Sequence, residues 1–244
     1  MNPRFSLVIP AFNEERFLPR LLDSVDEARQ AYRRGPDAVE VVVADNCSTD
    51  RTATLAREWG CRVVRVEKRV IGAARNAGAR AAQGDVLCFV DADARMHPRT
   101  FEAIERTLDT GRFVAGATGV RLDRWSPGIA LTYLMFVPFV LLTGMDTGVV
   151  FCRREDFESV GGYDETRLYA EDVAFLLALR RLGRKRGQRL ARVTSAKALA
   201  STRKFDEFGD WHYLTIMPRM ALRLLRDPAA GPDFAQRYWY RPKR

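Results

Sequence analysis

Two carboxylates spaced two residues apart, Asp91 and Asp93, close the apolar run Val86–Val90. In an extended chain such residues project to one side, and at a strand end they can splay toward different partners. Hard oxygen donors of this kind suit Mg²⁺ or Mn²⁺, which keep several waters and take further ligands from a phosphate. The triplet also reads as a solvated loop. Unpaired charge at the end of an apolar strand is costly, however, unless a cation or ligand gathers there. A second acidic pair, Glu171-Asp172, opens the apolar helical pattern Val173, Phe175, Leu176, Leu177, Leu179. Neighbours on a helix lie about 100° apart, so one acid is expected on the core side of a cleft, desolvated and poised as a base, and the other in solvent. The alternative is a pair of first-turn acids on the helix dipole.

Three further segments carry polar chemistry. Asp45-Asn46-Cys47-Ser48-Thr49-Asp50 closes another apolar run, with Asp45 a candidate for ligand contact and the rest reading as a turn and helix cap. Pro10-Ala11-Phe12-Asn13-Glu14-Glu15 closes the first. There Pro10 is expected to stop pairing and Asn13 to cap the next helix, while Glu14 reads as a ligand contact or a first-turn acid. Gly72-Ala73-Ala74-Arg75-Asn76-Ala77-Gly78 combines small residues with one planar donor fork, Arg75, suited to a phosphate or a base. Near the carboxy terminus, His212 is a candidate third metal ligand, and Arg203-Lys204 are candidates to neutralise a leaving diphosphate. His97, before Pro98, reads as a helix-start residue.

The elements that must position these groups alternate. Strands are expected at Phe5–Pro10, Val39–Asp45, Arg62–Val66 and Val86–Val90, all near-continuous apolar runs. Helical spacing at Leu18, Leu21, Leu22 and Val25, a helix through Leu55 to Trp59 capped by Ser48 or Thr49, and an Ala/Arg-rich helix Ala73–Ala82 stopped at Gly84 lie between them. Such alternation implies an α/β fold with a doubly wound, mainly parallel sheet, whose ligands bind beyond the carboxyl ends of the strands. The polar strand ends just named fall there. Further on come a helix (Phe101, Ile104, Leu108), a strand Val114–Leu122, a strand Gly148–Cys152, a short helix from Glu155, a helix from about Ala170 to Leu182, and an amphipathic helix Leu214–Leu225.

With 244 residues, 47% hydrophobic and 29% charged, the chain can bury one sizeable core and is neither disordered nor a disulfide-framed miniature. The net charge of +9 is uneven. Residues 180–244 hold 17 Lys+Arg against 5 Asp+Glu and the first 179 hold 23 against 26, so a chain-wide nucleic-acid footprint is not expected. Cys47, Cys61, Cys88 and Cys152 form no C-x-x-C pair and read as free thiols of a reducing compartment. MNPRFSLVIP is too short for a secretion signal, which points to the cytoplasm. Residues 129–145 are an uncharged run of 17, at the lower limit for a membrane span and broken by Pro138. They read as a buried helix, an interfacial contact or a span.

Taken in order, IPAFNEE (Ile9–Glu15), VVVADNCSTDRT (Val41–Thr52), GAARNAG (Gly72–Gly78), VDADA (Val90–Ala94) and GGYDE with EDV (Gly161–Glu165, Glu171–Val173) resemble family 2 glycosyltransferases of the GT-A fold. The resemblance covers about residues 5–180. It implies a Rossmann-like GT-A domain with an acceptor-side extension, a nucleotide-sugar donor (UDP by default), Mn²⁺ or Mg²⁺, and inversion at the anomeric carbon. By matching positions, Pro10, Ala11, Glu14, Asp45 and Arg75 would line the nucleoside site. Asp91 would contact ribose, Asp93 the metal, Glu171 would lie with the substrate, and Asp172 would be the general base. Residues 1–95 would form the nucleotide-sugar-binding half and 96–244 the acceptor-binding and catalytic half of one continuous domain.

The chain lacks the Q-x-x-R-W-x-x-G segment of processive synthases, so a single transfer to a hydroxyl acceptor is expected. That acceptor is open and includes lipid-linked compounds. Peripheral contact with the inner face of a membrane is a further expectation; nucleic acid is not. The competing readings are a sugar-nucleotide nucleotidyltransferase, disfavoured because AFNEE is no Gly-rich phosphate loop, and a nucleotide- or nucleic-acid-binding module without turnover.

Overall fold

The computed structural model describes residues 2–226, so the last part of the basic segment, from residue 227, lies outside the described residues. The chain divides into two compact units. Among the described residues one comprises 2–121 and 145–200, the other 122–144 and 201–226. The division expected after residue 95 therefore falls inside the first unit, because strands from both sides of it share one sheet.

Strands β1 (Phe5–Ala11), β2 (Val39–Asp45), β3 (Arg62–Arg65), β4 (Val86–Phe89), β5 (Phe113–Leu122), β6 (Val150–Arg153) and β7 (Arg189–Ala200) form that sheet in the order β3-β2-β1-β4-β6-β5-β7. The first four pair in parallel. β6 runs antiparallel to both β4 and β5, which mixes the far side of the sheet. Alternation along β1 sends Phe5, Leu7 and Ile9 into a core with α1 (Leu18–Gln30) and α4 (Thr100–Asp109). Val8 goes to the opposite core, with α3 (Ile71–Ala81), α6 (Arg154–Val160) and α7 (Glu171–Lys185). Both faces are thus covered, the reason these strands read as unbroken apolar runs. Fully buried rings such as Phe5 and Phe101 each stabilise the core by about 1.5–3 kcal/mol.

Several local expectations are corrected. Pro10 does not stop pairing, since β1 continues to Ala11 beside β2, past the last β4 partner at Val8. α2 (Thr52–Glu58) begins later than Ser48 or Thr49, with Asp50 accepting from Thr52 N–H at 2.9 Å. Gly84 is not a helix stop: a Cβ there would sit 2.6 Å from the Phe5 carbonyl carbon, so it is small because two backbones touch. β7 was not anticipated. Its inward residues are mostly alanines, and their alternation slips by one between Val193 and Ala196, leaving only a faint period of two.

The second unit contains α5 (Pro127–Thr143), α8 (Arg203–Phe208) and α9 (His212–Arg226). α5 is capped by Ser126, whose hydroxyl accepts from Ile129 N–H. Among the described residues no helix is long and apolar enough to cross a membrane. No disulfide forms among them either: Cys88 and Cys152 are buried thiols, Cys47 and Cys61 half-buried.

Candidate active site

Register brings the strand ends together. Ala11 lies opposite Asp45, and β4 ends opposite Val8, so the Asp91 loop emerges beside Ile9 and Pro10. The loops after β1 and β2 are laced to one another. Asn13 donates its N–H to Ser48 Oγ (3.0 Å), and its Oδ1 accepts from Thr49 N–H (2.8 Å). Glu14 N–H donates to Thr52 Oγ1 (2.8 Å), and Glu15 Oε2 accepts from Arg51 N–H (3.0 Å). Asn13 and Cys47 both adopt left-handed backbone to allow this. Asn13 is therefore a loop fastener rather than a helix cap. Buried Glu14 precedes α1, whose first turn holds no acid, which removes the dipole reading. Asp45, also buried, accepts from Ser48 N–H at 3.2 Å, and Asn46 donates to the Val66 and Lys68 carbonyls, fixing the approach to α3.

Arg75 is the centre of the site. Its Nη1 donates to Glu171 Oε1 and Asp172 Oδ1, both at 2.8 Å, and its Nη2 to Asp91 Oδ1 at 2.9 Å. The Arg75 side chain is 4% exposed, Glu171 11%, Asp172 20% and Asp91 56%. The guanidinium also lies over the Tyr163 ring, 5.1 Å from its centroid. Both acids of the 171–172 pair thus face one cation, not one the core and one solvent. α7 starts at Glu171 directly after Ala170, which is held in left-handed backbone, so neither acid is committed to an outer helical face. Arg75, expected along a nucleoside, is instead enclosed by carboxylates.

The electrostatics follow. Burial raises the Asp172 carboxyl to about 6; Arg75 opposes this, while Glu171 and Asp91 add to it. Burial alone would lower the Arg75 pKa, but the carboxylates of Asp172, Asp91 and Glu171, with Tyr163, hold it well above its ordinary value. Burial and the neighbouring Asp172 push the Tyr163 hydroxyl well up, so it stays protonated. Three carboxylates around one guanidinium leave an excess of negative charge, open to water on the Asp91 side.

Tyr163 and Asn76 also belong to the site, although their local sequence does not mark them. Asn76 donates to the Tyr163 carbonyl and accepts from its N–H, both at 2.8 Å, and donates to Glu165 at 3.0 Å. This pins Gly161–Glu165 against α3. Gly162, at φ +74°, has no room for a Cβ, which would stand 2.6 Å from Asn76 Oδ1. The signal available was an aromatic in the polar loop GGYDE, eight residues before the acidic pair.

Asp93 lies half-buried on the turn closed by Ala94 N–H to the Asp91 carbonyl. Arg95 bridges to Leu199 of β7 and holds that turn in place. Among the described residues no three His, Cys, Asp or Glu side chains converge as a metal-binding set. Two carboxylates on one turn, one of them largely exposed, still fit a hard divalent cation that completes its shell with phosphate and water. His212 and the Arg203-Lys204 pair belong to the second unit. There His212 is buried against Phe205 and Tyr213, with Nδ1 2.8 Å from the Gly209 carbonyl, and burial lowers its pKa. Lys204 pairs with Glu207 at 3.7 Å. A cleft of about 330 Å³ lies elsewhere in the first unit, lined by Val25, Asp26, Arg29, Trp59 and Arg62 among others, and holds none of these site residues.

The profile of Glycosyl transferase family 2 matches residues 6–157, which include the ends of β1, β2 and β4. The chain belongs to that family. It is 30% identical over 112 residues to the poly(ribitol-phosphate) beta-N-acetylglucosaminyltransferase TarS of Staphylococcus aureus, covering 43% of this chain and 19% of that one. It is 40% identical over 99 residues to the 4,4'-diaponeurosporenoate glycosyltransferase of Staphylococcus haemolyticus, 38% of this chain and 24% of that one. The fold matches TarS 1-349 in complex with UDP-GlcNAc (TM-score 0.64, 21% identity, 83% of this chain and 59% of that one). It also matches glucosyl-3-phosphoglycerate synthase of Mycobacterium tuberculosis in complex with Mn²⁺, UDP and its product (TM-score 0.60, 22% identity, 85% and 75%). The chain spans less than half the length of these two sequence relatives.

Proposed function

We propose that this family 2 protein is an inverting, divalent-metal-dependent glycosyltransferase that moves one sugar from a nucleotide-sugar donor, with UDP as the default nucleotide, to a hydroxyl acceptor. One observation carries the reading. Asp172 is a largely desolvated carboxylate at the carboxyl edge of the sheet, linked through Arg75 to the Asp91 end of the acidic turn. In a single displacement the acceptor oxygen attacks the anomeric carbon as the bond to the diphosphate breaks, inverting that centre. Asp172 takes the acceptor proton. Its pKa near 6 leaves it ionised at neutral pH yet basic enough to accept that proton. Arg75, itself held by Glu171, fixes its carboxylate, and Tyr163 packs against the guanidinium.

Pro10, Ala11, Glu14 and Asp45, at adjoining strand ends, would receive the nucleoside, and Asp91 the ribose. Asp93, with Asp91 close by, would hold Mn²⁺ or Mg²⁺, which when bound offsets charge on the departing diphosphate. The fold neighbours in complex with GDP-Man and Mn²⁺ or with UDP and Mn²⁺ support a nucleotide and a metal here. Lipid-linked acceptors are supported by one relative named an undecaprenyl-phosphate 4-deoxy-4-formamido-L-arabinose transferase. No role is assigned to Arg203, Lys204 or His212. In a thermal-shift panel of UDP, GDP, dTDP and CDP with and without Mn²⁺, one nucleotide should stabilise the protein only with metal, and Asp93→Ala should abolish the metal-dependent part. Equal curves with and without Mn²⁺ for every nucleotide would remove the metal from the assignment.

A further inference from the structure

α5 carries 17 residues without a charge and is apolar on every side. Ile129 and Thr132 are buried, but Leu131, Tyr133, Leu134, Met135 and Phe136 are exposed, Leu134 by 64%. Positions 133 to 136 alone sweep about 300° around the axis. A protein partner needs an apolar stripe of roughly 100°, and would leave the other exposed side chains in water. A surrounding apolar phase covers them all. Trp125 and Trp211, both half exposed in the same unit, are rings that favour a boundary between hydrocarbon and water. Trp125 packs edge-on to Tyr133 at 5.3 Å.

The charge is complementary to one such phase. Phe136 meets Tyr213 of α9 at 6.0 Å, and α9 presents Arg219 and Arg223, exposed and one turn apart. The chain from residue 180 onward has 17 cations against 5 acids. With 17 residues, at the lower limit for a span, and Pro138 inside it, α5 is not long and apolar enough to cross a membrane. We infer that α5 is a membrane-surface anchor that seats its exposed apolar residues in one leaflet of an anionic bilayer, with the α9 arginines against the headgroups. This inference is independent of the transfer reaction.

The test is co-sedimentation of the full chain with vesicles of phosphatidylcholine alone and of phosphatidylcholine with roughly one-third phosphatidylglycerol. Binding to the anionic vesicles should be stronger by about tenfold or more and should fall with salt, since each arginine near the surface contributes about fivefold. Leu134→Glu with Phe136→Glu should cut binding by at least about tenfold, without altering any Mn²⁺–nucleotide thermal shift of the wild type. In the wild-type protein, brominated lipid should quench tryptophan emission, a readout that needs no variant. No partition to anionic vesicles, unquenched emission, or wild-type binding by a folded double variant would each overturn the inference. So would light scattering showing that the face closes a stable dimer. The nucleotide shift is read separately, so failure of the anchor is distinguishable from failure of the transfer reading.

Discussion

Replacing Arg75 by Met keeps an unbranched stem and deletes the cation that Glu171 and Asp172 share. Three charge-assisted hydrogen bonds are lost, at 2.8, 2.8 and 2.9 Å. The Asp91 bond contributes little, because that carboxylate is more than half exposed and rehydrates. Glu171 and Asp172 are mostly buried and cannot. Stranding buried charge costs about 3–5 kcal/mol, reduced to roughly 2–4 kcal/mol by the water that reaches Asp172. For a chain of this size that lowers Tm by roughly 5–15 °C near pH 8.

The pH dependence has a definite sign. Burial has raised the Asp172 carboxyl to about 6, above its unfolded value, with Arg75 opposing the rise. The folded state therefore binds the extra proton between roughly pH 4 and 6, and this group's contribution to stability falls as pH rises through that window. Without Arg75 the folded pKa climbs further and the loss extends to higher pH. At pH 5 the acid is protonated in the variant and the penalty shrinks. Melting curves of wild type and Arg75→Met at pH 5, 6.5 and 8 should show a Tm gap that widens with pH. A gap under about 2 °C at pH 8, or one as large at pH 5, would refute the idea that Arg75 neutralises this pair.

Asp172→Asn should keep nucleotide binding, hold or raise Tm at pH 8, and lower transfer by roughly 10²–10⁴. The wild-type rate should rise with pH through an apparent pKa near 6, and a flat profile there would remove Asp172 as the base. Glu105 is a fully buried carboxylate held by Arg4, Arg33 and Arg34; burial opposes its ionisation, but Arg33, Tyr32 and Arg34 depress its pKa. Its contribution is present above the unfolded carboxyl range and lost as pH falls through the depressed value, so the Tm deficit of Glu105→Gln should shrink in acid, opposite in direction to the Asp172 effect. Gly78→Ala would place a Cβ 2.4 Å from Val8 Cγ1. It should cost about 1–3 kcal/mol in a urea titration; a neutral result would show that α3 shifts freely on the sheet.

Much of the fold was legible because its causes are local. Val39–Asp45 is a strand for the same reason that it is an apolar, β-branched run, and the polar residues that end it and β1 had to emerge at the sheet edge. The sequence by itself thus determined a covered parallel sheet, the helices between its first strands, and which acids stand at the strand ends. It did not determine what those acids touch. Arg75 meets partners 16, 96 and 97 positions away, and nothing local distinguishes a guanidinium aimed at a ligand from one enclosed by carboxylates. Asn13 has equally good uses as a helix cap or as a loop fastener, and only the approach of a loop 36 residues distant selects the second. β7, with mostly alanines as its buried side chains, shows little periodicity until the sheet supplies its neighbours. Tertiary packing decided these points because side-chain hydrogen bonds of similar local energy are separated only by which partner the rest of the chain brings within about 3 Å.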